Sequence, residues 1–244
     1  MAPGAGHDSS PDSGSCRPIR SPTAGSSGKL AVHVADPMAM RTRVKICGIT
    51  RIEDGVAAAA AGADAIGLVF APSPRQISES QAQAIVAAMP PFVTVVGLFV
   101  DADPAAVRGV LGSVRIDLLQ FHGSESPDYC RQFSKPYIKA LAMHEAVDVS
   151  AQALAHAGAA GLLLDTHSDR VAGGSGRAFD WARVPAGLSK PLILAGGLTP
   201  DNVADAVRRV RPYAVDVSSG VEMAKGIKDP ARIRAFIAAV QNVS

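Results

Sequence analysis

RVKICGITR (residues 43–51) is the first stretch of the chain in which apolar and polar residues alternate, so it predicts a strand. Gly48 interrupts the alternation directly after Cys47. Thr50 and Glu53 have the spacing of a capping box, which predicts that a helix begins there. A cysteine at the end of a strand can take part in chemistry, but most free cysteines are small buried side chains. These residues alone therefore favour a structural role for Cys47.

The composition indicates a soluble protein of one or two domains, with 48% hydrophobic and 19% charged residues among 244. No run approaches the ~18 consecutive apolar residues of a membrane span, so we expect no membrane partner. Residues 1–43 carry five of the 24 basic and three of the 22 acidic residues, which leaves 19 of each in 44–244. This balance gives no reason to expect a nucleic acid partner. The three widely spaced cysteines indicate a reducing compartment, and we expect a cytoplasmic protein.

Residues 1–42 are rich in Gly, Ser, Pro, Ala and Asp and contain little apolar sequence. Such a segment cannot bury enough surface to offset the entropy lost on ordering. It has neither the apolar centre of a secretory signal nor the Arg-rich, acid-poor composition of a transit peptide. The composition predicts a disordered extension or a start site placed too early, with Met38 and Met40 as alternative starts.

From Val44 onward, short apolar runs alternate with segments of helical periodicity, and successive runs begin roughly 20 to 30 residues apart, the length of a strand-plus-helix unit. The eight runs are 44–48, 65–70, 93–100, 117–121, 137–142, 161–165, 192–196 and 214–218. Helix starts are predicted by a second capping box, Ser78 with Gln81, and by pairs of a capping residue and a proline. These pairs are Asp103-Pro104, Ser126-Pro127, Thr199-Pro200 and Asp229-Pro230. The sixth helix, near 180–184, is predicted to be short.

Eight strand-helix units predict an α/β fold, a single-domain (β/α)8 TIM barrel over residues 43–244. The alternative is a doubly wound open sheet. Charged residues within the runs favour the barrel, because its mouth can hold polar side chains that a sheet covered on both faces excludes. These residues are Lys45, Lys139, Asp165 and Asp216. Lys45 and Asp216 are expected to pair inside the barrel.

In such a barrel, the functional site lies at the carboxyl ends of the strands. The residues that would face this mouth are Cys47, Arg75, Gln120, His122, Asp165, Gly196, Gly197, Ser218, Ser219 and Gly220. Paired glycines let backbone N–H groups approach an anion, and the loops after the seventh and eighth strands often bind phosphate in this fold. The last five residues of that set therefore predict a phosphate site.

Two of these residues allow more than one interpretation. Arg75 could hold a second anion, because a guanidinium donates two parallel hydrogen bonds to a carboxylate, or it could be a solvated loop residue. Asp165 follows an apolar strand, where an acid can stay protonated and donate a proton, or it could pair with a lysine in the barrel. The histidines lack the spacing of metal ligands, so no metal site is predicted, and His167 has no assigned role.

The order of motifs from residue 44 to residue 240 resembles the phosphoribosylanthranilate isomerase family. The motifs are VKICGIT (44–50), ADAIG (63–67), PSPR (72–75), QFHG (120–123), LLD (163–165), GGSG (173–176), FDW (179–181), LAGGL (194–198) and VDVSSGVE (215–222). Phe121, Ser175 and Ala224 depart from the residues usual in the family, and none of them belongs to the expected chemistry. Residues 1–42 have no counterpart in the family.

The resemblance implies an isomerase of tryptophan biosynthesis that carries out an Amadori rearrangement. Asp165 would protonate the furanose ring oxygen as the general acid, and Cys47, as a thiolate, would remove the proton from C2 of the ribose. The resemblance thus reverses the structural interpretation of Cys47. A base at this position needs a pKa below the usual ~8.5 of a free thiol, and Lys45 and the helix N-terminus at Thr50 are the groups that could lower it.

The resemblance also implies how the substrate, a small phosphosugar, is held. Arg75 would bind the anthranilate carboxylate, the loops after strands 7 and 8 would bind the phosphate, and the substrate would also contact Gln120, His122 and Asp216. No cofactor or metal is expected, and family members occur as monomers and homodimers.

Two alternatives stay open. The chain could be a related phosphosugar isomerase that also accepts the aminoaldose of histidine biosynthesis, which would need a second phosphate site near strands 3 and 4. The loop 120–124 lacks the glycine pair that such a site would use. The chain could also be a non-catalytic phosphosugar-binding barrel, but binding alone needs neither Cys47 nor Asp165.

Overall fold

The computed structural model describes residues 41–144, 147–166, 180–185 and 187–243. The predictions for residues 1–40, for His167 and for the GGSG motif (173–176) lie outside these ranges. Among the helices that the structure describes, none is long and apolar enough to cross a membrane.

Eight strands form a closed parallel barrel in chain order, in which the eighth strand pairs with the first. The strands are β1 Arg43–Cys47, β2 Ala65–Val69, β3 Thr94–Phe99, β4 Leu118–Phe121, β5 Tyr137–Met143, β6 Gly161–Thr166, β7 Leu192–Leu194 and β8 Ala214–Val217. The TIM barrel is therefore confirmed against the open sheet, and each predicted apolar run overlaps its strand.

Successive side chains of a strand point to opposite faces, so each strand has one set toward the barrel interior and one set toward the helices. In β1, Val44 and Ile46 are buried in the core shared with the surrounding helices. Lys45 and Cys47 point to the barrel interior, where Lys45 lies opposite Asp216 of β8. The predicted ion pair forms between these two, with 2.9 Å from Nζ to Oδ1. Apolar side chains of β3 and β5 to β8 form a separate small cluster: Val96, Ile138, Ala140, Leu163, Ile193, Ala195 and Ala214.

The helices are α1 Ile52–Ala60, α2 Glu79–Ala87, α3 Pro104–Ser113, α4 Pro127–Arg131, α5 Val149–Ala155, α6 Val203–Val210 and α7 Pro230–Gln241. The capping box of Ser78 with Gln81 begins α2 as predicted. Asp103, Ser126 and Asp229 each accept hydrogen bonds from backbone N–H groups at the starts of α3, α4 and α7, which confirms three of the four proline signals.

Two predicted helix starts are wrong. α1 begins at Ile52 with Arg51 at the N-cap and no side-chain cap, because the Thr50 hydroxyl donates to the carbonyl of Gly226 instead. α6 begins at Val203, after a turn in which the side chain of Asn202 accepts from the N–H of Thr199. The described part of the sixth connection contains a 3-10 turn, Trp181–Arg183, in place of the short helix expected there.

A hairpin that the sequence did not predict follows β8. Its strands are β9 Glu222–Ala224 and β10 Ile227–Lys228, joined through Gly226 at φ +78°. The backbone N–H of Lys228 donates to Asp54 in α1 at 3.0 Å, and Gly226 accepts from Thr50. The hairpin is thus held against the first helix of the barrel.

Candidate active site

A cavity of about 730 Å³, including its open mouth, lies at the carboxyl ends of the strands. Ten residues singled out from the sequence line it: Cys47, Arg75, Gln120, His122, Asp165, Gly196, Gly197, Asp216, Ser218 and Ser219. Gly220 does not line the cavity, although it was expected to bind phosphate. The barrel geometry therefore brings together all but one of the expected site residues.

Cys47 ends β1 and is 7% exposed, on the wall of this cavity. Gly67 of β2 provides the space for it, since a Cβ at Gly67 would lie 2.8 Å from the Cys47 sulfur. Burial lowers the pKa of Lys45, but Asp216 and Cys47 raise it by more, so that it reaches about 12. Lys45 thus keeps its positive charge beside the thiol throughout the neutral range.

The pKa of Cys47 itself is raised, because burial disfavours the thiolate more than the neighbouring charges stabilise it. Lys45 and Lys228 lower this pKa, whereas Asp216 raises it. Of the two groups expected to lower it, Lys45 therefore acts in the expected direction. The second, a helix N-terminus at Thr50, is not formed there, since α1 begins at Ile52. Burial therefore has a larger effect than the neighbouring charges, and the pKa of Cys47 is raised, contrary to the lowered pKa that was expected.

Asp165 lies near the end of β6 and is 8% exposed. Its Oδ1 accepts a hydrogen bond of 2.8 Å from the backbone N–H of Thr166. Its Oδ2 lies 3.4 Å from Nε2 of His122, and Nδ1 of His122 lies 3.2 Å from Nε2 of Gln120. The structure thus joins Gln120, His122 and Asp165 in one chain of contacts.

The loop that carries His122 is held by a buried ion pair. Lys139 of β5 lies 3.1 Å from Glu125, and both side chains are at most 4% exposed. Glu125 also accepts from the backbone N–H groups of Asp101 and Gly123, at 2.8 and 2.9 Å. These bonds fix the path of the chain directly after His122.

The loops after β7 and β8 meet at the side of the cavity where phosphate was predicted. Gly196 and Gly197 have φ of +82° and +64°, a conformation that residues with a Cβ rarely adopt. Asn202 holds this turn, because its side-chain amide donates to the carbonyl of Gly197 at 2.9 Å. Gly220 packs under the turn, where a Cβ would come within 2.0 Å of the Leu198 carbonyl oxygen. Gly220 therefore allows the two loops to touch and does not itself face the cavity.

Arg75 is not a solvated loop residue. It is 9% exposed, and its Nε and Nη2 donate to the two carboxylate oxygens of Glu222 at 2.7 and 2.8 Å. Glu222, through its hydrogen bonds, raises the pKa of Arg75. Nη1 donates no hydrogen bond to any residue in the part of the chain that the structure describes, and it is the donor left for an incoming anion.

Glu222 and Lys228, both in the hairpin, were missed from the sequence. Lys228 is fully buried and lies 2.9 Å from Glu222. Burial raises the pKa of Glu222, but Arg75 and Lys228 outweigh it and leave the pKa below its usual value. Burial lowers the pKa of Lys228. Lys228 lies in the two-residue strand β10, which is too short to give a local signal, and its buried contacts with Glu222 and Ser218 identify it.

No group of three or more His, Cys, Asp and Glu side chains that could hold a metal ion occurs within the described ranges. The site instead combines a thiol, a carboxyl group with a histidine partner, a buried arginine and two glycine-containing loops. Such a set can exchange protons with a substrate and hold anions at two places.

Comparison with known proteins agrees with this geometry. Residues 44–239 match the family model described as N-(5'-phosphoribosyl)anthranilate (PRA) isomerase. A Pseudomonas fluorescens protein named N-(5'-phosphoribosyl)anthranilate isomerase is 63% identical over 200 residues, which cover 82% of this chain and 95% of that protein. The crystal structure of phosphoribosyl anthranilate isomerase from Thermus thermophilus superimposes with a TM-score of 0.75 at 39% identity, covering 83% of this chain and all of that one. A phosphoribosyl anthranilate isomerase in complex with reduced 1-(o-carboxyphenylamino)-1-deoxyribulose 5-phosphate gives a TM-score of 0.73 at 39% identity, covering 82% and 99% of the two chains.

Proposed function

The chain belongs to the N-(5'-phosphoribosyl)anthranilate isomerase family, and we propose that Asp165 and Cys47 are the acid and the base of its reaction. The reaction is a step of tryptophan biosynthesis. N-(5-phosphoribosyl)anthranilate, an aminoaldose, becomes 1-(2-carboxyphenylamino)-1-deoxyribulose 5-phosphate, an aminoketose. The observation that carries the proposal is that Cys47 and Asp165 line one buried cavity from different strands.

Asp165 begins the reaction as a carboxylic acid. Its proton passes to the ring oxygen, the bond between C1 and that oxygen breaks, and the nitrogen lone pair forms a protonated Schiff base with C1. His122 directs this transfer, because its Nε2 faces one oxygen of Asp165 while the Thr166 N–H holds the other. These two contacts fix the orientation of the acid toward the substrate.

Cys47 completes the reaction as a thiolate. It removes the proton from C2, and the electrons of the C–H bond form a C1–C2 double bond while the C–N double bond returns its pair to nitrogen. The resulting enolamine tautomerises to the ketone. The oxidation of C2 to a ketone is balanced by the reduction of C1 within the same molecule, so the chemistry calls for two proton-transfer groups and no cofactor.

The two anionic ends of the substrate fix its orientation across the mouth. The phosphate binds at the backbone N–H groups of the turns around Gly196 and Ser218, both of which line the cavity. The anthranilate carboxylate binds Arg75, whose Nη1 is the donor not used by Glu222. Gln120 and Asp216 complete the wall between these ends. Orientation of this kind supplies a large part of the rate enhancement of an enzyme with few chemical groups.

The setting proposed for the enzyme is the cytoplasm, where a reducing environment keeps Cys47 and Cys130 as the free thiols observed here. We propose a small phosphosugar as its ligand, with no nucleic acid or membrane partner, and a monomer or homodimer as its assembly. The neutral charge balance of residues 44–244 supports the absence of a polyanionic partner.

Turnover of freshly prepared phosphoribosylanthranilate, followed by the loss of anthranilate fluorescence, tests the assignment of acid and base. Cys47→Ser and Asp165→Asn should each lower kcat by at least ~10² while inorganic phosphate still binds. Cys130→Ser is the matched control, since Cys130 is buried beside Phe121 and Phe133 in the outer core and does not line the cavity. Near-normal turnover by either active-site variant contradicts the proposal.

A further inference from the structure

Three charged side chains form a buried cluster beside the cavity. Arg75 donates twice to Glu222, at 2.7 and 2.8 Å, and the ammonium of Lys228 lies 2.9 Å from the same carboxylate. All three side chains are at most 11% exposed. We call these residues the Arg75–Glu222–Lys228 cluster. Its formal charge is +1, since two cations share one carboxylate.

The cluster lies directly against the residue that follows the catalytic thiol. A Cβ at Gly48 would come within 2.4 Å of Cδ of Arg75 and 3.1 Å of Oγ of Ser218. The ammonium of Lys228 donates to the carbonyl and hydroxyl oxygens of Ser218, at 3.2 and 3.3 Å. Gly48 therefore packs against the side chain of Arg75, and the loop after β8 is in contact with the ammonium of Lys228.

Four other titratable side chains lie around the thiol. On β1 and β8, Lys45 and Asp216 form a neutral pair. Asp165 lines the same cavity from β6 and is in contact with His122 from β4. Positive charge near Cys47 therefore comes from Lys45, which is paired with Asp216, and from the Arg75–Glu222–Lys228 cluster.

We propose that Lys228 is a positioning residue for the isomerisation: its ammonium, buried with Arg75 and Glu222, adds to the charge of Lys45 and stabilises the thiolate of Cys47. The proposal rests on the proposed function in one respect, the role of Cys47 as base. In a buried site a fixed cation stabilises a nearby anion far more than it would in water. It acts through the thiolate and needs no contact with the reacting atoms.

The groups around Cys47 shift its pKa in the direction that the proposal requires. Burial raises the pKa of Cys47, and Lys228 is one of the two lysines that oppose the increase. Arg75 and Lys228 each interact with Cys47 as a favourable opposite charge. The carboxylate of Glu222 limits the positive charge in the cluster and holds both cations in place.

Charge changes in the cluster should move the titration of the thiol in opposite directions. Lys228→Met makes the cluster neutral, so the thiolate is less stable and should form at a pH higher by at least about one unit. Glu222→Gln raises the cluster to +2, and the thiolate should form at a pH lower by about the same amount. In the double variant Arg75 alone remains charged, so the charge returns to +1 and the titration should return to within about half a unit of the wild type.

Alkylation by iodoacetamide measures this titration without any catalysis. The rate at Cys47 is followed as a function of pH by mass spectrometry of its peptide, which separates it from Cys16 and Cys130. Lys225→Met is the matched control, because it removes a lysine charge from an exposed position in the same hairpin. It should leave the midpoint of the alkylation profile unchanged.

Opposite shifts in the two single variants, with recovery in the double variant, support the proposal. Equal shifts in the same direction, or shifts no larger than in Lys225→Met, overturn it, because a purely structural role would not follow the sign of the charge. If circular dichroism shows that a single variant fails to fold, the double variant decides: a midpoint displaced by more than about one unit overturns the proposal. Failure of the proposed function is a separate result, namely normal turnover by Cys47→Ser whatever the titration shows.

Discussion

Replacing Gly220 by alanine should separate substrate binding from the chemical step. Gly220 lies where the loops after β7 and β8 touch, and a Cβ there would be 2.0 Å from the carbonyl oxygen of Leu198. The carbonyl oxygen belongs to the main chain and the backbone fixes the position of a Cβ, so no bond rotation in a side chain can relieve the contact. Since contacts of a Cβ shorter than 3.0 Å are essentially unknown in proteins, the two loops must move apart by about 1 Å.

The displacement acts on both sides of the proposed phosphate site. Gly197 precedes Leu198, and Ser219 precedes Gly220, so their N–H groups move with the two loops. A misplacement of about 1 Å can change rates by ~10². The phosphate takes no part in bond making, and its contacts are the same in the ground state and the transition state. The loss should therefore raise KM by ~10² and change kcat by less than about tenfold.

Steady-state kinetics across a wide range of phosphoribosylanthranilate concentrations gives kcat and KM separately. Gly112→Ala is the matched control: Gly112 is exposed in α3, and a Cβ there would meet nothing within 4 Å. Gly112→Ala should raise the free energy of unfolding by up to about 1 kcal/mol and leave KM unchanged. A folded Gly220→Ala enzyme with the KM of the wild type would refute the reasoning.

Three further predictions concern residues around the site. Lys45→Met should be less stable than the wild type at pH 9, because the pKa of Lys45 in the folded protein, about 12, is above its unfolded value of ~10.4. This difference in stability should shrink as the pH approaches about 12. Urea unfolding at several pH values measures the difference. Arg75→Lys keeps the charge but loses the paired hydrogen bonds to Glu222, so KM should rise by about tenfold in the fluorescence assay. Ser78→Ala removes the N-cap of α2 and should lower the free energy of unfolding by about 1 kcal/mol in urea without changing kcat.

Part of the site could be predicted from the sequence, because the strand period shows where each strand ends and functional groups of such barrels lie at those ends. The residues predicted in this way to line one cavity are Cys47, Gln120, His122 and Asp165. These are local patterns repeated along the chain. Each repeat carries its own apolar run, so an error in one unit does not displace the others. The eight strands are accordingly where the sequence placed them.

The hairpin and its side chains could not be predicted in the same way. Glu222 acquires its role from its contact with Arg75, 147 residues earlier in the chain, and Lys228 acquires its role from its contact with Glu222. The Thr50 hydroxyl shows the same limit, because the local spacing offers it a capping position, whereas the fold offers it the carbonyl of Gly226. In both cases a tertiary partner replaced the partner that the local sequence suggested.

The pKa of Cys47 was the least accessible property of the site. Lys45, two residues away, could be identified from the sequence, but the burial that raises the pKa and the charge of Lys228 that opposes it are set by the assembled barrel. The balance between burial and the neighbouring charges depends on distances that no residue pattern encodes.

The pairing of β1 with β8 closes the barrel, and we expect the site to form late in folding because it depends on this pairing. Lys45 and Asp216 meet across it from positions 171 residues apart, and Cys47 ends the same first strand. Closing so long a loop is slow, because its entropy is lost before the contact forms. Until β8 arrives, β1 has an open edge, the ammonium of Lys45 has no carboxylate, and the thiol faces no enclosed cavity. Activity should therefore appear together with ring closure, so the recovery of turnover during refolding reports the meeting of the first and last strands.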